Sequence, residues 1–358
     1  MSSQLSMDPI ALAAIDLLKE LIATPSFSKE EEQTASIIFN FLSARHMAAK
    51  RIKNNIFCTN KYFNKAKPSI LLNSHHDTVK PNSGYTKNPY LPEIEEGKLY
   101  GLGSNDAGGC LVALIATFVH FYDREDLAYN LVLAATAEEE ISGKDGIEYL
   151  ISFLPPIDFA LVGEPTLLQM AVAERGLLVL DAVAQGSPGH AARNEGVNAI
   201  NKAIEDIIWL NNYQFEKVSS LLGAVKMSVT VIETENKAHN VVPATCRFVV
   251  DVRVNELYTF EDVMNTIKHN VKSDVVPRST RMRSTMISLD HPIVKAGHNL
   301  GLTYYGSPTT SDKALMPFPA LKIGPGDSAR SHSANEFIFV DEIKNGIKTY
   351  IQLLNKIL

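Results

Sequence analysis

Residues 69–77 read SILLNSHHD, a short apolar run that breaks off into two histidines and an aspartate. The period of the sequence changes at Pro68, and a continuous apolar stretch of this length suits a strand buried on both faces. The same design recurs further on, in 131–140 (LVLAATAEEE), 159–165 (FALVGEP) and 320–332 (ALKIGPGDSARSH). Between them, 101–109 (GLGSNDAGG) leads into 110–122 (CLVALIATFVHFY), too long and too apolar for a typical strand and read as a helix buried against the sheet. Buried strands alternating with helices predict an α/β domain. In an open α/β sheet, ligands gather at the carboxyl ends of the strands. His75, Asp106, Glu140, Glu164 and His332 each stand at the end of an apolar run, four of them after a strand. Two imidazoles and three carboxylates suit zinc or a similar divalent ion. A single four-coordinate ion does not need five ligands, whereas two ions sharing a carboxylate do, which points to a two-metal hydrolase.

Outward from this core, Asp8-Pro9 reads as a helix start, followed by a stripe of Ile10, Leu17, Leu18, Leu21 and Ile22. Ser28 and Glu31 read as a capping box for a second helix with Ile37, Ile38, Phe41 and Leu42 facing inward. The character shifts near Gly176. Residues 177–186, 226–234 and 244–254 alternate as half-buried strands do, and helical spacing joins Val197, Ile200, Ile204, Ile207 and Ile208, then Phe260, Val263 and Ile267. Past Arg281 the α/β style returns, with 320–326 as a strand and 340–354 as a closing helix. The expected order is therefore a catalytic domain in two parts, 1–175 and 282–358, with a small α+β lid or dimerisation domain, 176–281, inserted between them. Its main sheet is expected to be mixed, mostly parallel and flanked by helices.

The chain has 358 residues, 45% hydrophobic and 21% charged, the balance of an ordinary globular protein with ample core. A net charge of −6 argues against nucleic acid or an anionic membrane as the main partner, though not against a small charged substrate. Cys58, Cys110 and Cys246 are too few and too scattered for a disulfide framework or a metal knuckle, and read as reduced thiols. The amino-terminal stretch lacks a basic segment before its apolar run, and no apolar run is long enough to span a bilayer. A cytoplasmic protein is expected.

Within 74–79 (SHHDTV), His75 and Asp77 are alternate residues of an extended chain and point the same way, so Asp77 can accept from the far nitrogen of the His75 ring. Alone, the segment reads equally well as a surface cluster, and His76 as a bystander. The 101–109 stretch misses the dinucleotide fingerprint because Asp106 takes the place of the third glycine. It reads instead as a carboxylate on tightly turning backbone, or as a plain glycine turn. Three glutamates, Glu138, Glu139 and Glu140, end a buried strand, where like charges repel unless cations compensate. One of them can hold metal while a neighbour takes a proton from water. A solvated acidic loop is the competing reading for this run and for Glu164, and chemistry alone leaves the register among the three glutamates open.

Taken together, SHHDTV, GLGSNDAGG, TAEEE, GEP, GSPGHAA (186–192), DVR (251–253) and GPGDSARSH resemble the dinuclear-zinc aminoacylase and carboxypeptidase family of metallohydrolases, over nearly the whole chain. The resemblance implies two zinc ions, with cobalt or manganese as substitutes. His75, Asp106 and Glu164 would hold one and Asp106, Glu140 and His332 the other, with a cis peptide after the bridging Asp106. It implies Glu139 as general base and Asp77 as the partner behind His75, although Glu138 stands where relatives often carry Asp. It also implies a homodimer formed through the lid, in which His190 reaches a neighbour's site and donates to the oxyanion. Arg253 and Asn240 would hold the substrate carboxylate, Arg253 having no other obvious partner. Residues 309–313 (TTSDK) resemble a loop facing the substrate, with no role assigned to Ser311 or Asp312.

The chain looks most similar to the acetylornithine deacetylases of that family and to the acyl-citrulline deacylases of arginine biosynthesis. The expected reaction is hydrolysis of an N-acyl amino acid, N-acetylornithine first. The alternatives are an acetyl- or succinyl-citrulline deacylase, a succinyl-diaminopimelate desuccinylase, a dipeptidase, or, more distantly, a metal-bearing binding protein without catalysis.

Overall fold

The computed structural model describes residues 9–193 and 195–358, and the chain divides into two units. The elements of the first part are α1 (Pro9–Ile22), α2 (Glu32–Ser43), β1 (Lys50–Ile52), β2 (Asn55–Thr59), β3 (Ser69–His75), α3 (Gly109–Phe121), β4 (Asn130–Thr136), β5 (Phe159–Val162) and β6 (Met170–Glu174). Next come β7 (Gly176–Gln185), α4 (Ala199–Asn212), β8 (Lys226–Glu233), β9 (Thr245–Val254), α5 (Phe260–Asn270) and β10 (Asp274–Pro277). The chain closes with β11 (Ala320–Lys322) and α6 (Val340–Leu354).

The first unit takes the residues up to 172 together with 287–305 and 311–358. Its sheet is mixed, in the order β1-β2-β4-β3-β5-β11-β6. The four central strands are parallel, and β1, β2 and β6 are each joined on by antiparallel pairing, β1 to β2, β2 to β4 and β6 to β11. Both β3 and β4 are buried at every position, which is why they read as unbroken apolar runs. Register sets His75 opposite Thr136 and Asn73 opposite Val162. The carboxyl ends of β3 and β4 therefore stand level, that of β5 stops two residues short of them, and the loops leaving all three start from one edge. Helix α3, almost wholly buried, packs on β3 with α1 and α6 against it.

The second unit comprises 173–286 and 306–310. Four antiparallel strands in the order β8-β9-β7-β10 carry α4 and α5 on one face, over a core that includes Leu178, Leu180, Phe248, Val250, Val263 and Ile267. The division falls inside β6, whereas the sequence places a boundary at its end, and the short return of 306–310 to this unit has no local sequence signal.

Helix α1 begins at Pro9, and Asp8, its expected cap, lies outside the described residues. The expected capping box on α2 is absent: α2 starts without a side-chain cap, Ser28 donates to Asp77, and the Glu31 carboxylate accepts from Lys29, Asn54 and Glu138. Tertiary acceptors and donors have outcompeted the local motif. Among the described residues no helix is long and apolar enough to cross a membrane. The three cysteines are free and buried, and burial pushes the Cys58 thiol up to about 12, so that it stays protonated and unreactive.

Candidate metal centre

His75, at the end of β3, is buried, with Nδ1 3.0 Å from the Asp77 carbonyl and 3.3 Å from Asp77 Oδ1. The proton on Nδ1 belongs there, which leaves the lone pair on Nε2. That atom is buried with no hydrogen-bond partner. Around it lie Asp106 Oδ1 at 3.4 Å, Glu164 Oε1 at 3.8 Å and Glu139 Oε2 at 4.0 Å. Two atoms each about 2 Å from a shared tetrahedral ion stand about 3.3 Å apart, so the spacing suits co-ligands better than hydrogen-bonded partners. On the other side, His332 Nε2 lies 2.9 Å from Glu140 Oε2 and 3.7 Å from Asp106 Oδ2. Asp106 thus turns one oxygen to each histidine. The compact donor sets are His75, Asp106 and Glu140, and His75, Glu139 and Glu164. These five residues and His332 all belong to the first unit.

The electrostatics ask for cations. Burial pushes Glu139 well above the usual carboxylate range; His75 opposes this, while Glu164, Asp312 and Glu140 add to it. Glu140 is raised by burial in the same way, against its bond to His332. Burial alone would lower His75, but Asp106 and Asp77, with Glu139 and Glu164 behind them, lift it well above its ordinary value. Glu140 beside His332 pushes that imidazole up to about 9. Both rings are biased towards the charged form because the pocket is short of positive charge, and a divalent ion supplies that charge in their place. An orphaned ring nitrogen, a two-faced aspartate and a donor set of nitrogen and oxygen fit a metal pair.

The supporting residues explain how these side chains are aimed. Asp106 follows Gly103, at φ +74°, on an irregular turn ending at Gly108, where a side chain would collide with the Gly103 carbonyl. The Asp106–Ala107 peptide is cis. Glu336, which the sequence reading missed, accepts the N–H groups of Gly103, Asn105 and Asp106 at 3.1, 2.8 and 2.9 Å. Burial, then Asp106, pushes its carboxyl to about 8. Asn105 ties this turn to the His332 loop by exchanging hydrogen bonds with the Asp327 backbone.

Among the three glutamates, Glu138 takes φ +58° and turns its carboxylate towards the Asp145 N–H, while Glu139 and Glu140 face the histidines. Asp312, to which the sequence reading gave no role, is buried and accepts from Asn73 and Thr136, joining β3 and β4; burial lifts it to about 6. His76 turns away, to Thr34 and the Asn54 carbonyl.

The remaining expected residues lie in the second unit. A two-stranded ribbon pairs Gly189–His190 with Val241–Val242, and Ala191 donates to the Asn240 carbonyl, so His190 and Asn240 are neighbours on an exposed loop pair. Arg253 corrects one expectation. It is not without a partner but forms a two-pronged ion pair with Asp251, Nε to Oδ1 at 2.8 Å and Nη2 to Oδ2 at 3.0 Å. Residues two apart on a strand share a face, and here the sheet face away from the helices carries both.

A partly buried, two-faced carboxylate between histidines, with a further glutamate beside them, points to the class of metal-dependent hydrolases. The family model of Peptidase family M20/M25/M40 matches residues 71–356, and the chain belongs to that family, whose members act on amide bonds. It is 28% identical over 270 residues to a succinyl-diaminopimelate desuccinylase of Cereibacter sphaeroides, covering 71% of this chain and 69% of that one. It is 27% identical over 361 residues to the acetylornithine deacetylase of Proteus mirabilis, covering 90% and 91%. The fold is shared with aminopeptidase PepT of Bacillus cereus, at a TM-score of 0.77, 16% identity and coverage of 97% and 98%. It is shared also with the Bacillus subtilis YXEP protein, described as a dinuclear metal binding peptidase, at 0.72, 14% identity and coverage of 96% and 97%.

Replacing Glu336 by alanine leaves three backbone donors on the Asp106 turn without their acceptor. At roughly 1–3 kcal/mol for each donor that stays buried and unpaired, Glu336→Ala is expected to lower the unfolding free energy of metal-free protein by about 3 kcal/mol or more. Glu336→Gln, which keeps an acceptor oxygen, is expected to lose less. Urea unfolding measures both, and equal loss in the two variants would contradict this account of the turn.

Proposed function

We propose that the protein is an N-acyl amino acid deacylase holding two zinc ions. His75, Asp106 and Glu164 bind one, Asp106, Glu140 and His332 the other, and cobalt or manganese can substitute. The observation that carries the proposal is Asp106, with Oδ1 near His75 and Oδ2 near His332. When bound, such a pair polarises an acyl carbonyl and lowers the pKa of water towards about 7. Asp77 holds His75 by Nδ1, fixing the ring so that Nε2 faces the centre. Glu139, largely but not wholly buried and raised by that burial, is the base. It takes a proton from the attacking water as the oxygen bonds to the acyl carbon, and returns it to the amine nitrogen as the C–N bond breaks. Arg253 and Asn240 receive the substrate carboxylate, an assignment that rests on the family resemblance, since Asp251 already pairs with the guanidinium.

N-acetylornithine is the first candidate substrate, supported by the Proteus deacetylase similarity along nine-tenths of both chains. N-succinyl-diaminopimelate is the second, supported by the Cereibacter desuccinylase similarity and by a Wolbachia pipientis desuccinylase, 26% identical over 96% of this chain and 95% of that one. Amine release from both compounds, acyl-citrullines and dipeptides, compared by kcat/KM with zinc or cobalt present, separates the readings. Cleavage of acetylornithine ahead of the rest is expected; preference for another compound removes the name but keeps the class, and no turnover on any removes the deacylase reading. Glu139→Gln is expected to lower kcat by roughly two to four orders of magnitude with metal content unchanged. Wild-type turnover in that variant would remove Glu139 as the base.

The proposal includes a homodimer formed through the second unit. Strand β8 is an edge strand with Val231 and Ile232 exposed, and α4, packed along it, exposes Ile204 and Ile208. An apolar edge of this kind is a template for a second copy. The partner subunit's His190 is assigned as donor to the developing oxyanion. Mixing inactive His190→Ala with inactive Glu139→Gln protein is expected to restore turnover, up to about half of the sites in a mixed dimer by symmetry. Proven subunit exchange without recovery would exclude that role.

A further inference from the structure

The loop that carries Glu139 is held in an unusual way. Four successive backbone N–H groups are each taken by a side-chain acceptor: Ala137 by Asn55 at 3.0 Å, Glu138 by Glu31 at 3.2 Å, Glu139 and Glu140 by the two oxygens of Asp77 at 3.0 and 3.1 Å. Asn55, Glu31 and Asp77 are completely buried. Charged acceptors make stronger hydrogen bonds than neutral ones, so this loop is gripped by its backbone and not by packing alone.

Two of the acceptors trace back to residues 28–31, between α1 and α2. Ser28 Oγ donates to Asp77 Oδ2 at 2.7 Å. Glu31 Oε1 also accepts the N–H of Lys29 at 2.6 Å, and Oε2 accepts from Asn54, itself oriented by Arg51. The partner of Glu31 on the loop, Glu138, has φ +58°, a conformation that costs a non-glycine residue energy and persists only when its surroundings impose it. A bond to its N–H is such an imposition. Residues 28–31 lie outside the 71–356 stretch matched by the family model.

We propose that residues 28–31 form a positioning device for the general base, Glu31 through the Glu138 N–H and Ser28 through Asp77, together setting the aim of the Glu139 carboxylate. The proposal rests on Glu139 being the base. Neither Glu31 nor Ser28 touches the substrate, and each acts through the loop.

The test measures kcat, KM, bound metal and melting temperature for Glu31→Ala, Glu31→Gln and Ser28→Ala in the full chain. A misplacement of the base by about 1 Å costs on the order of a hundredfold in rate. Glu31→Ala is therefore expected to lower kcat by about a hundredfold, with KM within about twofold and metal content unchanged. Glu31→Gln retains an acceptor oxygen and is expected to recover at least about tenfold of that loss. A Glu31→Ala protein with kcat within about twofold of wild type overturns the proposal. So does loss of metal, or a loss of kcat/KM carried by KM, since Glu31 would then act on the ligands or on substrate binding. If Glu31→Ala does not fold, Ser28→Ala decides: a fall in kcat alone supports the device, and wild-type kcat overturns it. Wild-type turnover in Glu139→Gln would instead remove the underlying base assignment, an outcome distinct from these.

Discussion

Asp106 presents one carboxylate oxygen to His75 and the other to His332, in a pocket that also holds Glu139, Glu140 and Glu164. Carboxylates so close together and so buried repel one another, and two imidazoles are too little positive charge to balance them. Burial first, and then the neighbouring carboxylates, raise Glu139 and Glu140 above the usual carboxylate range, and the same carboxylates bias both histidines towards holding a proton. A pair of divalent ions removes the charge imbalance, which is why the donor set and the family agree in pointing to metal.

Holding such a pocket open requires backbone that will not relax. Glu336 grips the Asp106 turn by three amides, and Asp77 with Glu31 and Asn55 grips the Glu139 loop by four. Glu138 and His332 both occupy the left-handed region, at φ +58° and +57°. Strained residues of this kind collect at working sites, where neighbouring interactions hold them. The carboxyl ends of β3, β4 and β5, gathered at one edge of the sheet, supply the rigid base to which these loops are anchored.

The sequence made the strands and most candidate ligands legible because four of the five ligands follow apolar runs that suit a doubly buried strand, and β3, β4 and α3 form where the apolar runs stand. Glu336, Glu31 and Asp312 were not legible as site residues. None of them ends an apolar strand run: Glu31 is the middle of three glutamates at the start of α2, Asp312 opens a short helical turn and Glu336 lies in a loop, and their site partners are far away in sequence, as Glu31 is from Glu138 and Glu336 from Asp106. Worse, Ser28 and Glu31 fit a local helix-capping pattern that the tertiary structure overrides. Local rules fail most often where function has another use for the residue. The Arg253–Asp251 pair was within reach of the sequence, since DVR places opposite charges on one face of a strand.

The central claim is a metal pair bridged by Asp106, and the most direct measurement is metal bound per chain, by elemental analysis, as metal-free protein is titrated while turnover is followed. The account predicts saturation at about two equivalents, about one for His332→Ala, and weakened binding at both sites for Asp106→Ala. A wild-type protein that saturates at one equivalent and is fully active there would contradict it.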